Sequence, residues 1–198
     1  MNTTAQRATV LALLVALMAT RLQLPTAATH FGPIPDGSWA VFFIGGFYLR
    51  QWTRWAFPAL MALAVLIDFV VIRSQGLDFW SHYCMSAAYW FLVPAYLALW
   101  LGGAAVARYR PASAARGLAL LAGGLIVSVA VCHLLSQGSF YWLGDSVAEP
   151  TVAGWWKNYS DWFIPYLRTT AIYVGLASIV HVGVAQAMRL QAGIGIAR

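Results

Sequence analysis

Charge is scarce in this sequence. Of its 198 residues only 9% are charged and six are acidic, whereas 61% are hydrophobic. A soluble chain of this length cannot bury so much apolar surface, so the composition excludes a soluble globular domain and points to an integral membrane protein. Cysteine is scarce too: Cys84 and Cys132 are too few for a disulfide framework and lack the spacing of a zinc site, although they could form one bond on an oxidising face. No GxSxG, HExxH, Walker loop or paired-carboxylate arrangement occurs, so the common hydrolase, zinc-protease and phosphoryl-transfer templates lack their parts. Internal repeats and low-complexity tracts are absent as well. The formal charge of +6 comes mostly from arginines scattered singly at the ends of apolar runs. They form no basic stripe for a nucleic acid and read instead as topology signals.

What the chain has is apolar length. Runs at about 8–24, 38–50, 55–72, 82–106, 115–136 and 162–188 are each bounded by charge, proline or glycine. They predict six transmembrane helices in one all-α polytopic domain covering residues 1–198. The first two are short, so they must tilt or thin the bilayer locally. The longest polar connection, 137–161, carries Gly138, Gly144, Pro150 and Gly154. With the amino terminus inside, the inner segments hold Arg7, Arg50, Arg54, Arg108, Arg110, Arg116, Arg189 and Arg198. The outer side keeps Arg21, Arg73, Lys157 and Arg168. This bias places both termini in the cytoplasm. A competing reading makes residues 1–28 a signal peptide, with Arg7 before an apolar stretch and Ala27 and Ala28 near a cleavage point.

Orientation sorts the polar residues by depth. Asp68 lies about one turn below the outer face on the third helix and Cys84 about one turn below it on the fourth. His30 falls in the first outer loop, His133 near the outer end of the fifth helix, and Arg168 a turn or two into the sixth. An ionisable residue in a spanning helix is costly unless it is paired or faces water, so Asp68 and Arg168 are site candidates, with mutual pairing as the bland alternative. A membrane cysteine is ordinarily a small buried hydrophobe. If Ser81 or Asp78 caps the fourth helix, however, Cys84 falls in its first or second turn, where free N–H groups and the helix dipole favour a thiolate. A soft metal would favour it further. His181, deep on the inner half of the sixth helix, reads as a structural hydrogen-bonding residue.

Ala8, Ala12 and Ala16 recur every four residues and lay a smooth strip along the first helix, either a docking face or a tight internal contact. Six helices, both ends inside, this strip and an outward-facing site together resemble the substrate-binding (S) components of energy-coupling factor (ECF) vitamin transporters. The stretch "SHYCMSAAYWFLVPAY", with His30 in "ATHFGP" and Asp68 in "VLIDFVV", is similar to the BtuM family of cobalamin-specific S components. The resemblance implies an S-component fold, cobalamin as ligand, and Cys84 bound axially to cobalt in place of the vitamin's own base. His30, Asp68 and Tyr89 carry over as pocket residues, although Tyr89 is about 140° round an ideal helix from Cys84. Arg168 joins the ligand-binding set from depth alone.

The same reading implies uptake of cobalamin across the inner membrane. Energy, if derived from ATP, would come from an energising module, a transmembrane T subunit and ATPases, docking through Ala8, Ala12 and Ala16. Beyond transport, a thiolate on cobalt would labilise the opposite ligand, so bound cyanocobalamin could lose its cyanide. Trp80, Tyr83, Tyr141, Trp142, Trp155, Trp156, Tyr159 and Trp162 would line an outer bowl, and the density within "GSFYWLGDS" and "GWWKNYSDW" suggests a lid over the ligand, with glycines at its ends letting it move. Part of that density is the ordinary aromatic belt of a membrane protein. A membrane redox protein with His133 and His181 as haem ligands is the alternative, and a purely structural subunit the third.

Overall fold

The computed structural model describes residues 3–22, 34–82, 86–109, 111–144 and 147–196, with side chains to residue 191. Every regular element among them is helical. Six α-helices follow in chain order: α1 Thr4–Met18, α2 Ser38–Leu49, α3 Thr53–Ser74, α4 Leu92–Val106, α5 Ala114–Leu143 and α6 Val152–Ile196. Five continuous runs have the length and apolar composition of membrane spans: Thr4–Leu22, Ser38–Ser74, Ala87–Val106, Ala114–Leu143 and Val152–Gln191.

The run Ser38–Ser74 is not one rod. Arg21 hydrogen-bonds both Ser38, at the start of α2, and Asp68, near the end of α3. A straight helix would hold those two residues about 45 Å apart. The chain instead doubles back through a 3-10 turn at Arg50–Trp52, flanked by Leu49 (φ −108, ψ 16) and Trp52 (φ −106, ψ 12), both outside helical geometry. Each arm is therefore shorter than the run. At 12 residues, α2 is about 18 Å long, well under a bilayer core of about 30 Å.

Local sequence explains the other ends. Thr3 and Gln6 form a capping box at α1, and Ser113 accepts from the Arg116 N–H at α5. Gly76, at φ 76, closes α3: its N–H bonds the Arg73 carbonyl while Leu77 N–H reaches the Ile72 carbonyl, satisfying two orphan acceptors. Helix four does not start at 82 as its apolar run suggests. A 3-10 turn at Ala87–Phe91 leads into Leu92, and Pro94 then sits in the first turn of α4, where a missing N–H is harmless. The polar connection expected over 137–161 contracts to 144–151, because α5 continues through "SFYWL" and α6 begins at Val152. Gly138 and Gly154 thus lie inside helices and cannot serve as loop hinges, while Gly144 caps α5 at the start of the connection.

At the centre stands α2, buried along nearly its whole length and flanked by α1, α3, α4 and α6. Its contact with α4 is backbone on backbone. A β-carbon at Gly46 would strike the Trp100 carbonyl, and one at Gly103 would strike the Phe43 carbonyl. In lipid, helices gain little from hydrophobicity against one another and associate by close packing, which small residues permit. The outside is correspondingly apolar, with Leu13, Leu66, Leu118, Val127, Ile164 and Ile179 all exposed. The two ends differ in charge. Arg7 and Arg50, with Thr3 and Met188, lie round a cavity at one end. Arg21, Asp36 and Asp68 lie at the other.

Candidate functional site

Residue 68 is a carboxylate in an apolar helix and must find a partner. It finds Arg21, in the 3-10 turn Ala19–Leu22 that ends the first span. The guanidinium grips it with two bonds, Nε to Oδ1 at 2.6 Å and Nη2 to Oδ2 at 2.8 Å, and both side chains are 17% exposed. The third nitrogen, Nη1, turns to Asp36 Oδ2 at 3.3 Å, Tyr96 OH at 3.2 Å and Ser38 Oγ at 3.4 Å. Tyr89 OH completes the cluster by donating to Asp68 Oδ2 at 2.8 Å. One arginine thereby ties α1 to α2, α3 and α4. A planar fork with five donors can serve that many acceptors; a lysine cannot.

This cluster forms one wall of a cavity of about 850 Å³. Trp39, Tyr166, Trp162 and Asn158 form the side toward α6, and Tyr166 stacks on Trp39 at 4.5 Å. The remaining wall is α5, where His133, Ser136, Gln137 and Phe140 fall on one helical face. His133 Nε2 meets the Tyr159 carbonyl at 3.0 Å, while its Nδ1 and both amide atoms of Gln137 are buried without a protein partner. Among the described residues, the ionised groups lining the cavity are one arginine and two carboxylates, a net charge of one negative with histidines neutral.

The expected site residues divide clearly. Asp68 and Tyr89 come together and share a hydrogen bond, so the ideal-helix angle between Tyr89 and Cys84 loses its meaning where the chain is 3-10 from Ala87. Cys84 and His30 lie outside the described residues, as does Tyr83. His82 and Tyr89, on either side of Cys84 in sequence, both line the cavity. Arg168 is exposed and off the cavity wall: two residues beyond Tyr166, it is turned about 200° round α6. Arg21, not Arg168, holds Asp68.

Ser81 and Asp78 lie in a turn and cap no helix among the described residues. Asp78 instead accepts from the N–H groups of Trp80 and Ser81 in an exposed turn, and the Ser81 bond holds its carboxyl below the usual range. Cys132 is fully buried with a free thiol. Of the described aromatics expected to line an outer bowl, Trp162 lines the cavity. Tyr159 stacks between Trp156 and Phe163, and Trp80 stays 76% exposed.

A larger cavity, about 950 Å³, opens at the arginine end between α1 and α6. It is mostly apolar, and its main polar groups already have protein partners. Tyr48 OH bonds His181 Nδ1 at 2.8 Å, Arg7 bonds Gln51, and Arg50 Nη1 donates to the Ala107 carbonyl at 2.7 Å. The acid-end cavity, with partnerless polar atoms in its wall, is therefore the better candidate for a specific ligand. His133 and His181 line different cavities, which leaves a haem between them no common site. Among the described residues no three His, Cys, Asp or Glu side chains gather as a metal site. No known protein-family description matches the chain, and no curated protein matches its sequence.

Proposed function

We propose that this chain is a cobalamin-binding subunit of an inner-membrane transporter, taking its ligand into the acid-end cavity. The observation that carries the reading is that cavity: about 850 Å³, near the upper end of the roughly 300–1,000 Å³ common for ligand sites, with aromatic and hydrogen-bonding walls and, among the described residues, an arginine already committed to two carboxylates. Such a bowl suits a large, uncharged, amphipathic ligand better than a small anion. His82 and Tyr89, on either side of Cys84 in sequence, line the cavity, which supports the cysteine as the residue that would reach cobalt. In this reading α2 and α3 count as separate crossings, giving six, with both termini cytoplasmic and the acid end outward.

Cys84 would supply a thiolate to cobalt in place of the benzimidazole nitrogen, and its donation would labilise a cyanide ligand, which would leave as cyanide anion with its electron pair, water taking its place and cobalt staying trivalent. Asp68 and Tyr89 hold the wall in shape through Arg21, His30 keeps its place as a pocket residue by the resemblance alone, and Arg168 has no part in the pocket. Ala8, Ala12 and Ala16 are all exposed, while Leu14 and Met18 face the core. That arrangement favours a docking face for an energising module over an internal contact.

Purified protein titrated with cyanocobalamin is expected to bind one equivalent with micromolar or tighter affinity by calorimetry. Absence of any binding in lipid nanodiscs would refute the proposal.

A further inference from the structure

Four described residues carry buried side-chain polar atoms without a protein partner, and two of them, His133 and Gln137, stand one turn apart on the cavity face of α5. Leaving a buried donor or acceptor unpaired costs about 1–3 kcal/mol, so such atoms in a cavity wall ask for a ligand or water to complete them. Their chemistry is specific. The nitrogen of His133 facing the Tyr159 carbonyl must be the N–H, because a carbonyl only accepts. In the neutral ring the other nitrogen is then an acceptor, whichever way the ring is built. Gln137 offers one donor and one acceptor side by side, and since neither is engaged, an amide flip does not alter the pattern. The wall therefore presents two acceptors and one donor group, all uncharged. Across the cavity Arg21 is committed to Asp36 and Asp68, so the field there is negative rather than positive. A carboxylate would meet like charge and find only one donor group on α5. A primary carboxamide fits both residues: its oxygen accepts from Gln137 while its N–H groups reach the Gln137 oxygen or His133 Nδ1.

We infer that His133 and Gln137 form a carboxamide-reading wall that makes the cavity select neutral amide groups on the ligand's rim over carboxylates. This rests on the cobalamin reading and adds the residues and the chemical preference to it. Gln137→Met keeps length and volume but removes both polar atoms. The experiment measures affinity for cyanocobalamin and for monocarboxylate derivatives in which one peripheral carboxamide has been hydrolysed, together with the melting temperature of ligand-free protein.

The parent is expected to bind cyanocobalamin at least roughly tenfold more tightly than one of the monocarboxylates. Gln137→Met is expected to weaken cyanocobalamin binding roughly tenfold and to shrink that discrimination, the equivalent of about one hydrogen bond. The ligand-free variant should melt no lower than the parent, because an unpaired buried amide has been removed. Unchanged affinity, as for a wall that holds water only, overturns the inference. So does a lower ligand-free melting temperature, which would make Gln137 a structural residue. A parent that binds no cyanocobalamin overturns the cobalamin reading and this inference with it. A parent that binds while Gln137→Met binds equally well overturns the inference alone.

Discussion

Arg21→Ala is expected to destabilise the protein by about 3 kcal/mol and to abolish ligand binding, a larger effect than any substitution on the α5 wall of the cavity. Removing one partner of a buried ion pair strands the other's charge, at a cost of roughly 3–5 kcal/mol; the 17% exposure of both side chains places this pair at the lower end. Arg21 also holds Asp36, Ser38 and Tyr96, so its loss frees the end of α1 from three helices at once. Arg21→Lys should recover part of the stability, since a lysine keeps the charge but not the two-bond grip. The informative variant is Arg21→Leu with Asp68→Leu, which removes both charges. It should be more stable than Arg21→Leu alone, by detergent thermal melting, while still failing to bind. If the double variant is no more stable than the single, the pair does not carry the coupling described above.

The second large effect is expected at the α2 and α4 crossing. Gly103→Leu and Gly46→Leu should yield no monodisperse protein, and Gly103→Ala alone should lower stability by about 3 kcal/mol, the upper part of the usual overpacking range. The reason is the identity of the neighbours. The added carbon meets the carbonyls of Phe43 and Trp100, and main chain cannot swing aside as a flexible side chain can. Gly123→Ala is the control: it lies in α5 with nothing within 4 Å of an added β-carbon, and should be neutral or slightly stabilising. Equal losses at Gly103 and Gly123 by denaturant titration would show that the crossing is not held by close backbone approach.

How legible these features were in the sequence follows from their range. Apolar runs are local, so the helices appear close to where composition puts them. The start of α4 was misjudged, because its apolar run begins at 82 while the helix begins at Leu92, and Pro94 alone did not decide the matter: Pro165 lies well inside α6. Asp68 stood out as a carboxylate in a span, but its partner did not. Arg21, Arg73 and Arg168 were all on the same side, and nothing in hydrophobic periodicity ranks residues 47 apart over residues 100 apart. The glycine pairs "IGGF" and "LGGA" were present, yet which helices they join depends on tertiary packing. Gln137 was missed for a different reason. It opened a stretch read as a polar connection, and only the continuation of α5 through Leu143 turns it onto the same face as His133.

The claim that Cys84 serves as cobalt's axial ligand is tested most directly by the visible spectrum of cobalamin bound to the parent protein and to Cys84→Ser. A thiolate donates strongly to cobalt and serine does not replace it, so the bound parent spectrum should differ from that of free cyanocobalamin, and the Cys84→Ser spectrum should revert toward that of the free vitamin. Coincident spectra, with both proteins binding the ligand, would contradict cobalt ligation by Cys84.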